Sequence, residues 1–226
     1  KVRCACDCVF ARKKAEQEQF RLEEIDRTRK RCFYDPEMLS WRFENDDRRN
    51  AKLSDSMMEY ANKFGDFAEM KKGLLLYGTV GTGKSYYAAC IANKLIDNGK
   101  KAYMTTFSRL ADKLAEDFGG RFDFIDSLRD FDLLVIDDLG AERNSSSGYM
   151  QEIIYDVIDA RCVSGLPLVI TSNLTADELK KPIDVRYQRI FDRVLGYCHP
   201  VEMSGMSRRR QALKDSHADV KAMLGL

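Results

Sequence analysis

The chain has 226 residues, of which 44% are hydrophobic and 32% charged, and a formal net charge of +1. That length suits one medium domain with a small appendage. The near-neutral balance argues against a protein-wide field for nucleic acid, although residues 207–226 hold five Lys/Arg against two Asp, a run whose ordinary role is a solvated surface. No stretch approaches the roughly 18 apolar residues of a membrane span, and residues 1–10 lack the apolar core of a secretory signal. The seven cysteines are odd in number and unevenly spread, unlike a secreted disulfide framework, so we expect reduced thiols and a cytoplasmic protein. The chain opens at Lys1 rather than Met, and upstream residues are expected.

In chain order, Cys4, Cys6 and Cys8 stand at alternate positions. Residues 9–33 are rich in Lys, Arg, Glu and Gln without Pro or Gly, which predicts a solvated helix with a thin apolar stripe of Phe10, Phe20 and Ile25. Asp35-Pro36 breaks it. Residues 40–72 hold Trp41 and Phe43, then a helix-like run with Met57, Met58 and Tyr60.

From residue 73 the pattern turns to strand–helix alternation. Short apolar strands are expected at 74–77, 102–106, 133–136, 168–171 and 200–203. Helices are expected at 84–97, 108–118, 147–163, most of 176–195, and 210–224. Such alternation implies a parallel sheet sandwiched by helices in three layers. A division follows: residues 1–39 as a Cys-rich segment plus charged helix, and 40–226 as an α/β domain.

Residues 78–85 read Gly78-Thr79-Val80-Gly81-Thr82-Gly83-Lys84-Ser85 and fit G-x-x-x-x-G-K-[ST] between a strand and a helix. Glycines let the backbone wrap closely and turn its N–H groups inward. The following helix adds its positive N-terminal end. Lys84 is placed to neutralise the β- and γ-phosphates of ATP and Ser85 to ligate Mg²⁺. Leu133–Ile136 ends in Asp137-Asp138, 53 residues after Lys84. Asp137 suits Mg²⁺, through water, and Asp138 suits orienting or deprotonating an attacking water. Both acids could instead cap the turn at Leu139-Gly140. Glu142 is more readily a surface salt bridge than a helper. Pro167–Asn173 is a strand ending in a polar amide, Asn173, which could also be a turn former. Phe107, Ser108, Arg109, Lys113, Phe118, Arg121, Phe122 and Phe124 mix basic and aromatic character, a combination that suits nucleic-acid backbone contact and base stacking, though each aromatic is as readily a core residue.

These stretches resemble the DnaC/DnaI/IstB group of AAA+ ATPases over residues 73–209, about two-thirds of the chain. The matching segments are Gly73–Gly78 before the phosphate loop, Ile136–Glu142, Ile170–Leu174, Arg189–Arg193, and Gly205-Met206-Ser207-Arg208-Arg209. Arg208 stands where the family carries an aromatic, and Asp138 where AAA+ ATPases usually carry Glu. The resemblance implies a P-loop NTPase fold and an ATPase that loads a replicative helicase onto single-stranded DNA, associating with itself through the ATP site. In it Asn173 is sensor 1, Arg193 (with Arg189 as the alternative) reaches a neighbour's nucleotide, and Arg209 is sensor 2. Trp41 and Phe43 resemble the segment that lines the adenine pocket in AAA+ proteins, which implies that role for them, with ordinary packing as the alternative. The Cys4, Cys6 and Cys8 cluster resembles zinc-binding modules of such loaders, with a ligand missing that lies upstream or, if the helix folds back, is Cys32. Two other readings stand beside it: a transposition helper ATPase binding duplex DNA, and a nucleotide-gated binding module with little hydrolysis.

Overall fold

The structure is a computed structural model that describes residues 7–116, 120–144, 148–182 and 184–210, with isolated positions at 213, 221, 223 and 224. It opens with α1 (Asp7–Cys32), whose residues 10–24 are exposed and which reaches the body only near its C-terminal end. Of its expected stripe, Ile25 packs on the core while Phe10 and Phe20 lie open to solvent. A strap of 3₁₀ turns follows, then α2 (Ala51–Asn62) and α3 (Phe64–Glu69).

Strand β1 (Gly73–Tyr77) leads into α4 (Lys84–Asp97), and β2 (Ala102–Thr105) into α5 (Phe107–Glu116) and α6 (Arg121–Ser127). Next come β3 (Leu133–Leu139), α7 (Gly148–Ser164) and β4 (Leu168–Ser172). The stretch expected to be mostly helical at 176–195 divides at Pro182 into α8 (Ala176–Lys180) and α9 (Val185–Tyr197), because the proline lacks an N–H and the residue before it avoids helical backbone. Strand β5 (Cys198–Glu202) closes the sheet. The helix expected at 210–224 falls largely outside the described residues.

The five strands are all parallel, in the order β2-β3-β4-β1-β5. Strand alternation sorts the core into two layers. Leu74, Leu76, Val135 and Val169 face α2 and α4, while Leu75, Leu134, Ile136, Leu168 and Ile170 face α5, α7 and α9. The inner strands β1, β3 and β4 carry unbroken apolar runs because both faces are covered, whereas edge strand β5 is partly exposed. The fold is thus the three-layer α/β arrangement expected. The order places β1 beside β4, with β2 and β3 beyond on one side and β5 on the other, so the chain changes direction across the sheet at β1 and β4. A crevice forms at the carboxyl ends of the strands there. Among the described residues, no helix is long and apolar enough to cross a membrane.

One polar residue organises the opposite end of the sheet. Arg161 on α7 is fully buried, and its guanidinium donates to the backbone oxygens of Leu128, Phe131, Asp132 and Pro167 at 2.7–3.2 Å. It satisfies the loops entering β3 and β4, sharing the Pro167 oxygen with a backbone donor, Leu134 N–H at 3.4 Å. Burial lowers its pKa to about 10, so it stays charged at neutral pH. Replacing it with Met leaves these carbonyls without this donor, and we expect a loss on the order of 3 kcal/mol in urea unfolding.

Candidate functional site

The phosphate loop grows from the end of β1. Gly78, Gly81 and Gly83 all hold positive φ, at 119°, 81° and 99°. Gly81 also lets another segment in, since a Cβ there would overlap Ser207 Oγ. Gly83 is the N-cap of α4 and offers no side chain to its first turn, leaving those N–H groups open to a ligand. Lys84 Nζ donates to the carbonyls of Gly78 and Thr79 at 3.0 and 2.7 Å, and Thr82 Oγ1 donates to Thr79 O at 2.9 Å. The ammonium therefore rests on its own loop. Burial lowers its pKa, against the pull of Asp138 and Asp137, with Arg209 adding to the lowering. The Ser85 hydroxyl lines the cavity and has no hydrogen-bond partner among the described residues.

The two acids depend on a break in the sheet. Ile136 pairs with Ile170, but the next pair is Leu139 with Ser172, so β3 spends one more residue than β4 over that interval. This is a β-bulge, and Asp138 in it takes φ of 63°, the left-handed region that asparagine and aspartate tolerate best among non-glycine residues. In an unbroken strand, neighbouring residues point to opposite faces. Here Asp137 and Asp138 line the same cavity.

Thr171 holds the bulge together. Its hydroxyl accepts from Asp138 N–H at 2.8 Å and donates to Asp137 Oδ1 at 2.6 Å. Asp137 Oδ2 accepts from the Tyr34 hydroxyl at 2.6 Å. Asn173 Nδ2 donates to Asp138 Oδ1. Burial raises the Asp138 pKa, repulsion from Asp137 adds to this, and Lys84 and Arg209 oppose it. Burial and the Asp137 hydrogen bond push the Tyr34 phenol upward, so it acts as a donor. The turn beyond is closed by Glu142, which is buried and accepts from Gly140 N–H, rather than by either aspartate. Glu142 is therefore not the surface residue its sequence context implies.

Two further segments wall the site, a cavity of about 550 Å³. The strap supplies Tyr34, Met38 and Trp41, with Trp41 and Tyr86 ring centroids 5.7 Å apart. Asn93 on α4 donates to Met38 O and Trp41 O, both at 2.9 Å, and Tyr86 donates to Arg42 O at 2.6 Å. Phe43, the other adenine-pocket candidate, is buried in the core instead. The segment after β5 supplies Arg208 and Arg209. Arg208 N–H donates to Gly81 O at 2.8 Å, and its guanidinium pairs with Asp46 and Asp47 at 3.2 and 3.1 Å. Asp46 also accepts from Ser54 and Tyr87. Burial pushes Asp46 up, but these hydrogen bonds together pull it below the usual carboxylate range.

Of the residues singled out by sequence, Val80, Gly81, Gly83, Lys84, Ser85, Asp137, Asp138, Asn173 and Arg209 line this one cavity. Gly78, Thr79 and Thr82 shape the loop behind it. Arg193 does not reach the cavity. It sits on α9, paired with Asp159 and 5.8 Å from the Tyr155 ring. Arg189 is exposed on the same helix. Cys4 and Cys6 lie outside the described residues, and Cys8 is the second residue of α1. Cys32 cannot join them within one chain: α1 is an unbroken helix of 26 residues, so its ends stand roughly 37 Å apart. Cys32 is buried in the core, where burial pushes its thiol up to about 12. In the stretch considered for single-stranded DNA, Phe107 is core and unavailable for stacking, Phe124 is half-buried, and Phe122, Ser108, Arg109 and Lys113 are exposed. Arg121 is paired with Asp156, and Phe118 lies outside the described residues. Sequence reasoning missed Tyr34 and Thr171. Thr171 carries a signal, standing two residues before the strand-end Asn173; Tyr34 carries none.

The donor set suits a small hard cation. The Ser85 hydroxyl and the Asp137 and Asp138 carboxylates are oxygen donors around one space, fitting Mg²⁺ that keeps several waters. Among the described residues there is no cluster of three or more His, Cys, Asp or Glu placed to cage a metal, so phosphate and water would complete its shell.

Asp138 combines a left-handed backbone with a desolvated charge, a cost to the fold that only function explains. Asp138→Asn removes the charge and suits the backbone better. We expect a higher melting temperature at pH 8. Because the native carboxyl pKa is raised, folding is penalised where the acid is ionised, so the gain shrinks as pH falls through that pKa. A gain that is constant with pH would assign it to backbone strain alone.

The family model for IstB-like ATP binding protein matches residues 7–216. The replicative helicase loader DnaI of Bacillus subtilis (strain 168) is 30% identical over 155 residues, covering 61% of this chain and 48% of its own length. The replicative helicase loader DnaC of Escherichia coli (strain K12) is 30% identical over 121 residues, covering 52% of this chain and 47% of its own. The chain thus spans about half the length of the curated relatives it matches. A crystal structure of DnaI superposes with a TM-score of 0.63 at 24% identity, covering 80% of this chain and 99% of that one, which shows the shared fold. With a P-loop, a strand ending in two aspartates and a polar amide on one cavity, within an AAA+ type parallel sheet, the chain belongs to the family of IstB-like ATP binding proteins.

Proposed function

We propose that this protein is an ATP-hydrolysing DNA replication protein that loads a replicative helicase onto single-stranded DNA in the cytoplasm. The observation that carries the reading is the convergence of Lys84, Ser85, Asp137, Asp138 and Asn173 on one cavity, in a chain about 30% identical to two named helicase loaders. Residues 1–39 then form the partner-binding arm and 40–226 the ATPase body. Long exposed α1 offers surface for that partner.

The residues divide the chemistry as follows. Lys84 leaves the carbonyls of Gly78 and Thr79 and neutralises the β- and γ-phosphates. Ser85 and Asp137 hold Mg²⁺, which when bound neutralises charge on the phosphates. Asp138 takes a proton from the attacking water, and Asn173, already bonded to Asp138, orients that water. A carboxylate with a raised pKa is a better base for this transfer. Arg209 lies at the cavity in cis. Arg193 lies away from it, on an outer helix, and so acts on a neighbouring subunit's nucleotide; this requires self-association and exchange of Asp159 for phosphate. Zinc held by Cys4, Cys6 and Cys8, with a further ligand from outside those residues, belongs to the same reading and is checked by metal analysis of the purified protein.

The shorter Asp138 side chain favours a second reading, a nucleotide-gated binding module with little turnover. ATP hydrolysis by the purified protein, measured with and without single-stranded DNA and a replicative helicase, separates the two. We expect stimulation by either partner, loss of nucleotide binding in Lys84→Ala, and a fall in turnover of 10³-fold or more, about the worth of an arginine finger, in Arg193→Ala with ATP binding kept. Tight binding without turnover under every condition selects the gated module. Stimulation by duplex DNA alone selects a transposition helper.

A further inference from the structure

Tyr34 belongs to no motif of the nucleotide site, yet its hydroxyl donates to Asp137 Oδ2 at 2.6 Å. The other oxygen of that carboxylate is committed. The Thr171 hydroxyl accepts from Asp138 N–H and donates its own proton to Asp137 Oδ1. Asp137 is only 5% exposed. Oδ2 is the oxygen that the strand bulge leaves unbonded, and the phenol takes up part of its accepting capacity.

Tyr34 stands at a junction. One side faces the cavity with Lys84, Ser85 and Asp138. The other faces a smaller depression of about 350 Å³, lined by Arg31, Phe33, Tyr103, Arg109 and Lys113, and the Arg109 guanidinium lies 5.0 Å from the Tyr34 ring centroid. Helix α1 ends two residues upstream at Cys32. The remainder of the strap is fastened independently, by Asn93 on Met38 and Trp41 and by Tyr86 on Arg42. Asp35 belongs to that fastened part, accepting from Glu37 N–H and Met38 N–H, so a shift that leaves the Trp41 wall in place is confined to Phe33 and Tyr34.

We propose that Tyr34 competes at the cation position: its hydroxyl bonds the Asp137 oxygen that a Mg²⁺-bound water would also use, so Mg²⁺–nucleotide and the Tyr34–Asp137 contact weaken one another. The proposal rests on the reading of Asp137 as the Mg²⁺ carboxylate. A phenol O–H and a metal-bound water are both donors, and both seek the same buried oxygen. The coupling is reciprocal. Whatever presses Tyr34 onto Asp137 weakens Mg²⁺–nucleotide, and Mg²⁺–nucleotide weakens the hold of Tyr34 on Asp137.

The test is a Mg²⁺ titration of the full chain with a fluorescent, non-hydrolysable ATP analogue, in the wild type, Tyr34→Phe and Asp137→Asn. Asp137→Asn is expected to lose the Mg²⁺ dependence of binding. Tyr34→Phe is expected to tighten Mg²⁺-dependent binding roughly tenfold, the order of one hydrogen bond to a charged group, with Mg²⁺-free affinity unchanged. In hydrogen–deuterium exchange, the segment 30–36 is expected to exchange faster once Mg²⁺ and the analogue are added to wild type, and to be fast already in nucleotide-free Tyr34→Phe. Unchanged or weaker Mg²⁺ binding in Tyr34→Phe, with Asp137→Asn still losing Mg²⁺ dependence, overturns the competition and leaves Asp137 as the cation residue. Mg²⁺ dependence that survives Asp137→Asn overturns both.

Discussion

The site depends on one extra residue in β3. A parallel strand buried on both faces must alternate its side chains between two apolar layers. Two consecutive acids at its end would be split between those layers. The bulge at Asp138 breaks the alternation at the last point where the sheet still enforces it. The Thr171 hydroxyl makes the break stable by accepting the N–H that the ladder no longer uses and passing its own proton to Asp137. One hydroxyl thereby satisfies a backbone group and aims a carboxylate.

The other walls are assembled on the phosphate loop by contacts remote in sequence. Missing side-chain volume at Gly81 admits Ser207, and the Gly81 carbonyl receives Arg208 N–H. Arg208 then reaches Asp46 and Asp47 on the strap, and Asp46 also gathers Ser54 and Tyr87. The position where relatives are expected to carry an aromatic is thus an arginine with its own acidic partners, and it lies 5.8 Å from the Tyr87 ring. Strap, P-loop helix and the segment after β5 form one electrostatically joined frame. Arg161 plays a comparable part at the other end of the sheet, joining the loops that enter β3 and β4.

Function and stability pull apart at the carboxyl edge. Asp138 is held with positive φ and partly desolvated beside another acid, and Lys84 is desolvated on its own loop. A site that receives phosphate and cation must keep charges in place before the ligand arrives. The hydrogen bonds from Lys84 to Gly78 and Thr79, and from Tyr34 to Asp137, partner those charges within the chain.

Local pattern was sufficient for much of this protein. The helix and strand succession follows from periodicity, Pro and Gly placement, and the phosphate loop follows from spacing alone, because its chemistry is carried by contiguous backbone. The approximate place of Asp137, Asp138 and Asn173 was also legible, since a parallel strand delivers its last residues to one edge. Only the tertiary structure decided how two adjacent aspartates share a cavity, because a bulge is a relation between two strands. It also decided that Glu142 turns inward, that Phe43 and Phe107 are core, that Cys32 stands a helix length away from Cys8, and that Arg193 is absent from its own chain's site. Tyr34 shows the limit most plainly. Its role arises from 103 residues of separation closed by folding, and no local pattern of residues encodes a contact of that kind.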